Sequence, residues 1–292
     1  MAPPDNEAIM QKWNGFGHHI AFYVHNNVDV IVVTVMLGLK WASVYAVYYM
    51  IIGGIKNIVN ALTGGSEAAW GNIIAKKEQQ VLLTRFQMVE TLSSIVIVTL
   101  FSTTGILLFD FIGIYTKSVT DIAYVNIPVG ILFIISESFH CVKQIYHHLI
   151  LAAGHYRETQ KGAFIEAGLN LALSFILAYF IGMPGILIAT IVATCYRIAD
   201  YAFHLKKTIL NRNVSVVFKR QFINIVNVSL ILLICGMIPF SVPDTYSQWA
   251  LKAAVVLVIS SMLTLLWQSL FYRSQVKGIM LTLKGVLSAG RR

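Results

Sequence analysis

Gly154 to Arg197 brings together the residue types best suited to bind charge inside a membrane. Glu166, Asn170 and Ser174 recur at every fourth position, which puts a carboxylate, an amide and a hydroxyl on one helix face. Ala189, Ala193 and Arg197 repeat that spacing some twenty residues on, with Thr190 and Thr194 beside them. Small residues at this interval let helices approach closely. A carboxylate and a guanidinium in adjacent apolar runs are costly in lipid, so they should face protein or a water-filled cavity. Upstream, Glu137, His140 and Lys143 or Gln144 form another polar stripe, followed by His147 and His148. Glu137 and His140 suit a proton relay, and an ion-pair network through Lys143 is the competing reading. Asn27 and Asp29 lie in the first apolar run. Asp29 there is either a hydrated end residue or a cavity-lining, ion-linked carboxylate. Arg197 is placed either to pair with Asp200 at i, i+3 or to meet phosphate, whose geometry guanidinium matches.

Helices long enough to cross a bilayer must position these groups. The 292-residue chain is 57% hydrophobic and only 12% charged, with a mean hydropathy of +0.71; a soluble domain carries about 25% charged residues. This composition predicts an all-α integral membrane protein. Eight spans are expected, at about 15–38, 41–62, 86–111, 121–151, 162–181, 184–204, 221–241 and 249–272. The fifth and sixth are joined by Gly182-Met183-Pro184-Gly185, a sharp bend followed by a proline suited to a helix start. The expected organisation is an N-terminal segment (1–13), a six-helix bundle (14–206), two further helices (207–272) and a basic tail (273–292). In the tail, Val276, Ile279, Met280 and Leu283 alternate with Lys277 and Lys284 as in a helix lying on the membrane surface. The connection from Thr63 to Arg85 predicts a short interfacial helix with Trp70 at headgroup level.

Charge supports this topology. Of the 22 Lys and Arg residues, seventeen fall on the side holding both termini, counting Lys56 with them. Two, Lys40 and Lys117, fall on the opposite side, and Lys143, Arg197 and Lys252 lie within spans. That bias places both termini in the cytoplasm. It also accounts for the +9 charge without nucleic acid. Met1 to Trp13 is polar, so the first span reads as an uncleaved anchor. The three cysteines sit in apolar runs without a CxxC pair, which favours neither disulfides nor zinc. The histidines between 140 and 155 lack the acidic or thiolate partners of a metal set. Glu90 reads as an inner-end anchor that snorkels or pairs with Arg85. Asn224 and Asn227 read as interhelical hydrogen-bond partners, and Tyr45, Tyr48 and Tyr49 as packing residues. No GxSxG, HExxH, P-loop or dinucleotide-binding pattern occurs, and the outer connections are short, so an enzyme is not expected.

Three stretches carry a family resemblance. NNVDVIVVTVMLGLKWASVYAVYYMI (26–51), LILAAGHYRETQKGAFIEAGLNLALSFIL (149–177) and GMPGILIATIVATCYR (182–197) are similar, in order and spacing, to the C-terminal half of bacterial lipid-linked oligosaccharide flippases. These export O-antigen or capsule repeat units and belong to the MATE-like multidrug/oligosaccharidyl-lipid/polysaccharide exporter superfamily. The resemblance implies one of two facing six-helix bundles plus the extra helix pair such flippases carry. It implies an undecaprenyl-diphosphate-linked glycan as substrate, location in the bacterial inner membrane, and alternating access, with H⁺ or Na⁺ coupling in some members and no other cofactor. The matching positions are Asp29, Glu166, Asn170 and Arg197. A full member carries a second bundle, so a missing N-terminal half or a second copy is an expected partner, beside membrane lipids and glycan-assembly membrane proteins. The alternatives are a drug or peptidoglycan-precursor exporter half, and a non-transporting scaffold of a glycan-assembly complex.

Overall fold

A computed structural model describes residues 27–64 and 67–289. The segment 1–13, the start of the first span with His18, His19, His25 and Asn26, and Gly290 to Arg292 lie outside the described residues. Those that are described form helices and no strand. We number them α1 (Asn27–Leu37), α2 (Leu39–Gly64), α3 (Glu67–Ala75), α4 (Gln79–Tyr115), α5 (Ile127–Ala152), α6 (Tyr156–Ile181), α7 (Met183–Thr208), α8 (Ser215–Gly236), α9 (Tyr246–Phe271) and α10 (Arg273–Ala289).

Six helical runs are long and apolar enough to span a membrane: Leu39–Ala75, α4, α6, α7, α8 and α9. The architecture is thus that of a multi-pass, all-helical membrane protein. The expected count of eight is not reached on this criterion. Only residues 27–38 of the first span are described, and the polar stripe of α5 sets that helix apart from the six.

Local chemistry sets the boundaries. Gly38, at φ +85°, supplies a backbone conformation that side chains resist, and so breaks α1 from α2. The sequence places the fourth span from 121, but α5 starts at Ile127. The Asn126 side chain caps it by accepting from Val129 N at 3.2 Å, and Pro128 occupies the first turn. The preceding loop is pinned by the buried Tyr48 hydroxyl. It accepts from Asn126 N at 2.9 Å and lies 3.0 Å and 3.1 Å from the carbonyl oxygens of Tyr124 and Asn126, to one of which it donates. At the α6–α7 bend, Gly182 takes φ +66° and Pro184 sits in the first turn of α7. A Cβ on Gly185 would collide with the backbone of Leu177, so only glycine lets the hairpin close this tightly.

Helix α4 is the hub. Its 37 residues extend about 55 Å at 1.5 Å per residue, well beyond a bilayer core of about 30 Å. It packs against α2, α3, α5, α8, α9 and α10. On one flank α5 carries the α6–α7 hairpin, with α1 against α2, α6 and α7. On the other, α8, α9 and α10 lie on α4. Outward apolar side chains such as Tyr179 and Phe180 on α6 and Leu266 and Leu270 on α9 are exposed, as lipid-facing residues would be.

Two expectations change at the inner end. Trp70 is buried at 2% exposure and packs against Phe86, ring centroids 5.7 Å apart, so α3 is part of the core and not a headgroup-level anchor. Glu90 neither snorkels nor pairs with Arg85, which is exposed. It is buried and takes two hydrogen bonds from Arg212, at 2.5 and 2.8 Å, and one from the Tyr146 hydroxyl at 2.9 Å. Arg220 stands 3.8 Å away, donates to Thr91 at 3.0 Å and lies over the Tyr272 ring at 4.1 Å. One turn outward, Gln268 donates to Asn224 at 2.9 Å and Asn224 to Ser94 at 3.3 Å, the interhelical role expected of that asparagine. Helix α10 exists as expected, but Val276 is buried in its packing on α4 and α9, so its first turns belong to the bundle. Cys141, Cys195 and Cys235 are unpaired thiols.

Replacing Gly185 by Val is expected to overpack the hairpin at a cost of about 1–3 kcal/mol, read as a lower unfolding midpoint in detergent. Arg212→Ala is expected to cost more, about 3 kcal/mol, because it strands a buried carboxylate. The double variant Glu90→Leu/Arg212→Met, which removes both charges but leaves Arg220 without its anion, is expected to regain part of that loss. Equal midpoints for the Arg212 single and double variants would contradict the Glu90–Arg212 pairing.

Candidate functional site

The polar faces of α1, α2, α5, α6 and α7 meet inside the bundle in two layers. In the first, Asp29 is buried in α1 and Thr190 projects from the second turn of α7. The Thr190 hydroxyl lies 2.9 Å from each Asp29 oxygen, 3.4 Å from Asn170 Oδ1 and 3.1 Å from the carbonyl of Ile186. Ser174 donates to the same Asn170 oxygen at 3.0 Å. One hydroxyl proton cannot serve four acceptors. Asn170 also hydrogen-bonds Asp29, and the oxygens that still outnumber these donors are the arrangement that a proton on Asp29, or a hard monovalent cation, would satisfy. Beside it, Lys56 of α2 pairs with Glu137 of α5 at 2.9 Å and lies 5.2 Å from the Tyr49 ring centroid. Asp29, Lys56, Glu137, His140 and Thr190, with Tyr45, Tyr49 and Ser136, line a cavity of about 10 Å³. That holds one water-sized ligand.

The second layer lies one to two turns nearer the end of the bundle that holds α3. Lys143 of α5 donates to Glu166 Oε1 of α6 at 2.6 Å. Arg197 of α7 approaches the other Glu166 oxygen at 3.5 Å and donates to Asp200 at 2.6 Å. Its guanidinium lies 4.2 Å over the Tyr201 ring, and Tyr201 meets His147 at 2.8 Å. Arg197 is 1% exposed, yet its Nη2 has no hydrogen-bond partner. Gly162 makes this fit possible, because a Cβ there would strike Arg197 Nη1 and the Asp200 carboxyl. A buried guanidinium with a donor to spare, beside a carboxylate shared between two cations, is suited to receive an anion by exchange.

The expected site residues therefore fall into place unequally. Glu166, Asn170 and Ser174 do share one buried face, as do Ala189, Ala193 and Arg197. Arg197 pairs with Asp200 as the spacing allowed and also reaches Glu166. Asp29 is an interior carboxylate and not a hydrated end residue. Asn27 begins α1, half-buried, and does not line the cavity. Glu137 and Lys143 do not form the expected network with each other, because each finds its opposite charge on another helix. His140 lines the cavity with Glu137. The other histidines disperse, His148 to Glu67 and His155 to His204, and no group of three metal-binding side chains occurs among the described residues.

Two participants were not singled out by the sequence. Lys56 had been counted with the inner loops but is buried in α2, which lowers the inner-side tally by one. Its signal is a lone lysine between the apolar runs YYMIIGGI and NIVNAL. Thr190 stands in the sequence beside the Ala189, Ala193 and Arg197 stripe, and its contact with Asp29 is visible only in the structure. No family model, curated protein or solved structure matches the chain.

Glu166→Gln leaves Lys143 and Arg197 without their shared anion, and is expected to destabilise the protein by about 3–5 kcal/mol. Asp29→Asn keeps an acceptor for Thr190 and is expected to cost less than about 1.5 kcal/mol. Thermal unfolding of both purified variants checks the order; a larger loss for Asp29→Asn would contradict the two-layer assignment.

Proposed function

We propose that the chain is one bundle of an ion-coupled membrane exporter that carries diphosphate-linked glycan lipids outward by alternating access. The observation that carries this reading is Arg197, a buried guanidinium with an unpartnered nitrogen, joined through Glu166 to Lys143. A diphosphate is a multidentate acceptor, and two cations that share one carboxylate can exchange it for phosphate oxygens when Glu166 takes up a proton, so that no charge is left bare. The resemblance of residues 26–51, 149–177 and 182–197 to oligosaccharide flippases supports the same cargo.

In this mechanism Lys143, Glu166 and Arg197 face the anionic head while the lipid tail stays in the bilayer. Asp29, Asn170 and Thr190 hold the coupling H⁺ or Na⁺, and the Lys56–Glu137 pair lines the same cavity as Asp29. Thr190 and Arg197 share α7, and Asn170 and Glu166 share α6, so a change of charge in one layer is felt by the same two helices that shape the other. A second bundle supplies the opposite wall, on the same chain, on a partner chain or as a second copy.

A drug-exporter reading draws on the two carboxylates and two tyrosines around the first cavity, a lining that suits organic cations. Charge argues against it. Glu137 and Glu166 already hold Lys56, Lys143 and Arg197, so an organic cation would meet basic side chains beside each of them.

The test is surface-glycan export in bacterial cells deprived of their own flippase, with the chain expressed alone and beside an N-terminal bundle. Restoration is expected with the second bundle present. Arg197→Lys, which keeps the charge but loses the planar fork, is expected to lower export about ten- to a hundredfold, the worth of one charged hydrogen bond. Correct membrane insertion without export in either arrangement would refute the proposal.

A further inference from the structure

A cleft at the inner end of the bundle plays no part in the transport scheme above. It is about 220 Å³ in volume and opens between α3, the start of α4, the α5–α6 turn and the end of α7. Ile73, Ile74, Leu82 and Ile209 supply its apolar wall, and Lys77, Glu78, Gln79, His155 and Thr208 its polar one. The shape is maintained by the backbone. Lys77 adopts φ +57°, which bends the α3–α4 connection sharply, and Gln79 donates to the carbonyl of Ile209 at 2.5 Å, tying α4 to the end of α7. Gly154, at φ +74°, turns the chain so that His155 faces both the cleft and His204, whose Nε2 is 2.9 Å away. The cleft thus combines an apolar surface, two groups able to donate to phosphate (Lys77 and His155) and one carboxylate (Glu78).

Its position identifies the kind of ligand. The cleft lies on the side that carries sixteen of the chain's 22 Lys and Arg residues, which marks this end as the one at the inner headgroup layer. Basic pockets between helices at that level recognise lipid head groups. A purely anionic head would meet repulsion from Glu78, whereas a head with a phosphate and a primary ammonium matches Lys77 and His155 on one side and Glu78 on the other. We propose that this cleft is a binding site for a membrane phospholipid of the phosphoethanolamine type, with its acyl chains leaving over Ile73, Ile74 and Ile209. Lys77 and His155 hold the phosphate, and Glu78 accepts hydrogen bonds from the ammonium. A trimethylammonium head cannot donate those bonds, and a glycerol head gains no charge pairing from them.

The test is native mass spectrometry of the full chain released from nanodiscs made of equal parts phosphatidylethanolamine, phosphatidylglycerol and phosphatidylcholine. Retention of phosphatidylethanolamine is expected to exceed that of the other two by about three- to tenfold, the range of one or two exposed charged contacts. Lys77→Asn, chosen because asparagine tolerates the left-handed backbone, is expected to lower retention of all three lipids. Glu78→Gln is expected to abolish only the preference for phosphatidylethanolamine over phosphatidylglycerol. Thr208→Trp, which fills the cleft without changing charge, is expected to abolish selective retention. All three side chains are exposed, so the variants should fold, and circular dichroism checks that they do. Equal retention of the three lipids by the unaltered chain, selectivity unchanged in folded Thr208→Trp, or displacement of the lipid by millimolar inorganic phosphate would each overturn the proposal.

Discussion

An ionised side chain inside a membrane protein must find its opposite charge on a neighbouring helix, and much of this fold follows from that requirement. Lys56 and Glu137 join α2 to α5, Lys143 and Glu166 join α5 to α6, Arg197 brings α7 to α6, and Lys252 meets Asp110 at 2.7 Å to join α9 to α4. No pair is worth much as net stability once desolvation is counted, but breaking any one is expensive. Such pairs therefore act on register more than on depth of the energy well. A one-residue rotation of α5 would part Glu137 from Lys56 and Lys143 from Glu166 together.

Glu90 extends the same logic to the C-terminal helices. Its partners come from α5 through Tyr146, from the α7–α8 connection through Arg212 and from α8 through Arg220, which stacks on Tyr272 at the start of α10. The C-terminal helices consequently meet the bundle at a charged joint near the inner end and over an apolar surface further out, where Ile231, Cys235 and Val256 pack on Val98 and Leu107. A joint of this kind fixes where α8 and α9 stand while leaving their outer halves held by packing alone. Transport schemes that move α6 and α7 against α5 can therefore leave α4 and its C-terminal helices as one block.

Periodicity told which residues share a face, and there the sequence was informative. The α6–α7 hairpin, its glycine-proline bend and the buried stripes through Glu166 and Arg197 were all legible, because intervals of three and four residues translate directly into direction on a helix. Partners across helices were not. Glu137 has His140 and Lys143 on its own face, and nothing local reveals that α2 brings Lys56 to it. Depth was equally hidden. Lys56 and Glu90 lie near apparent helix ends, where snorkelling is the cheapest assumption, and only the packing of α5 and of the Arg212 connection shows that water cannot reach them. Trp70 misled for the same reason: an interfacial aromatic and a core aromatic on a short amphipathic helix have the same sequence signature. The starts of α4 and α5 erred where a helix continues past the bilayer or a capping asparagine delays it.

Unsatisfied hydrogen-bonding capacity separates the two polar layers in a way that net charge does not. Both contain carboxylates and cations in near balance, and either could be named a binding site from composition. The first encloses about 10 Å³ around a threonine hydroxyl contacted by more acceptors than it has protons, a demand that one small cation meets. The second has a buried guanidinium whose Nη2 lacks a partner, held against α6 only because position 162 is glycine, a demand that an anion meets. Thr190 and Arg197 are seven residues, two helical turns, apart on α7. Asn170 and Glu166 are four apart on α6, one turn. In the proposed scheme an ion entering the first layer would alter the charge to which α6 and α7 are both tied, and those same two helices set the distance between Glu166 and Arg197. Such coupling would require no long pathway, only that this hairpin respond as a unit, which the close approach of Gly185 to Leu177 favours.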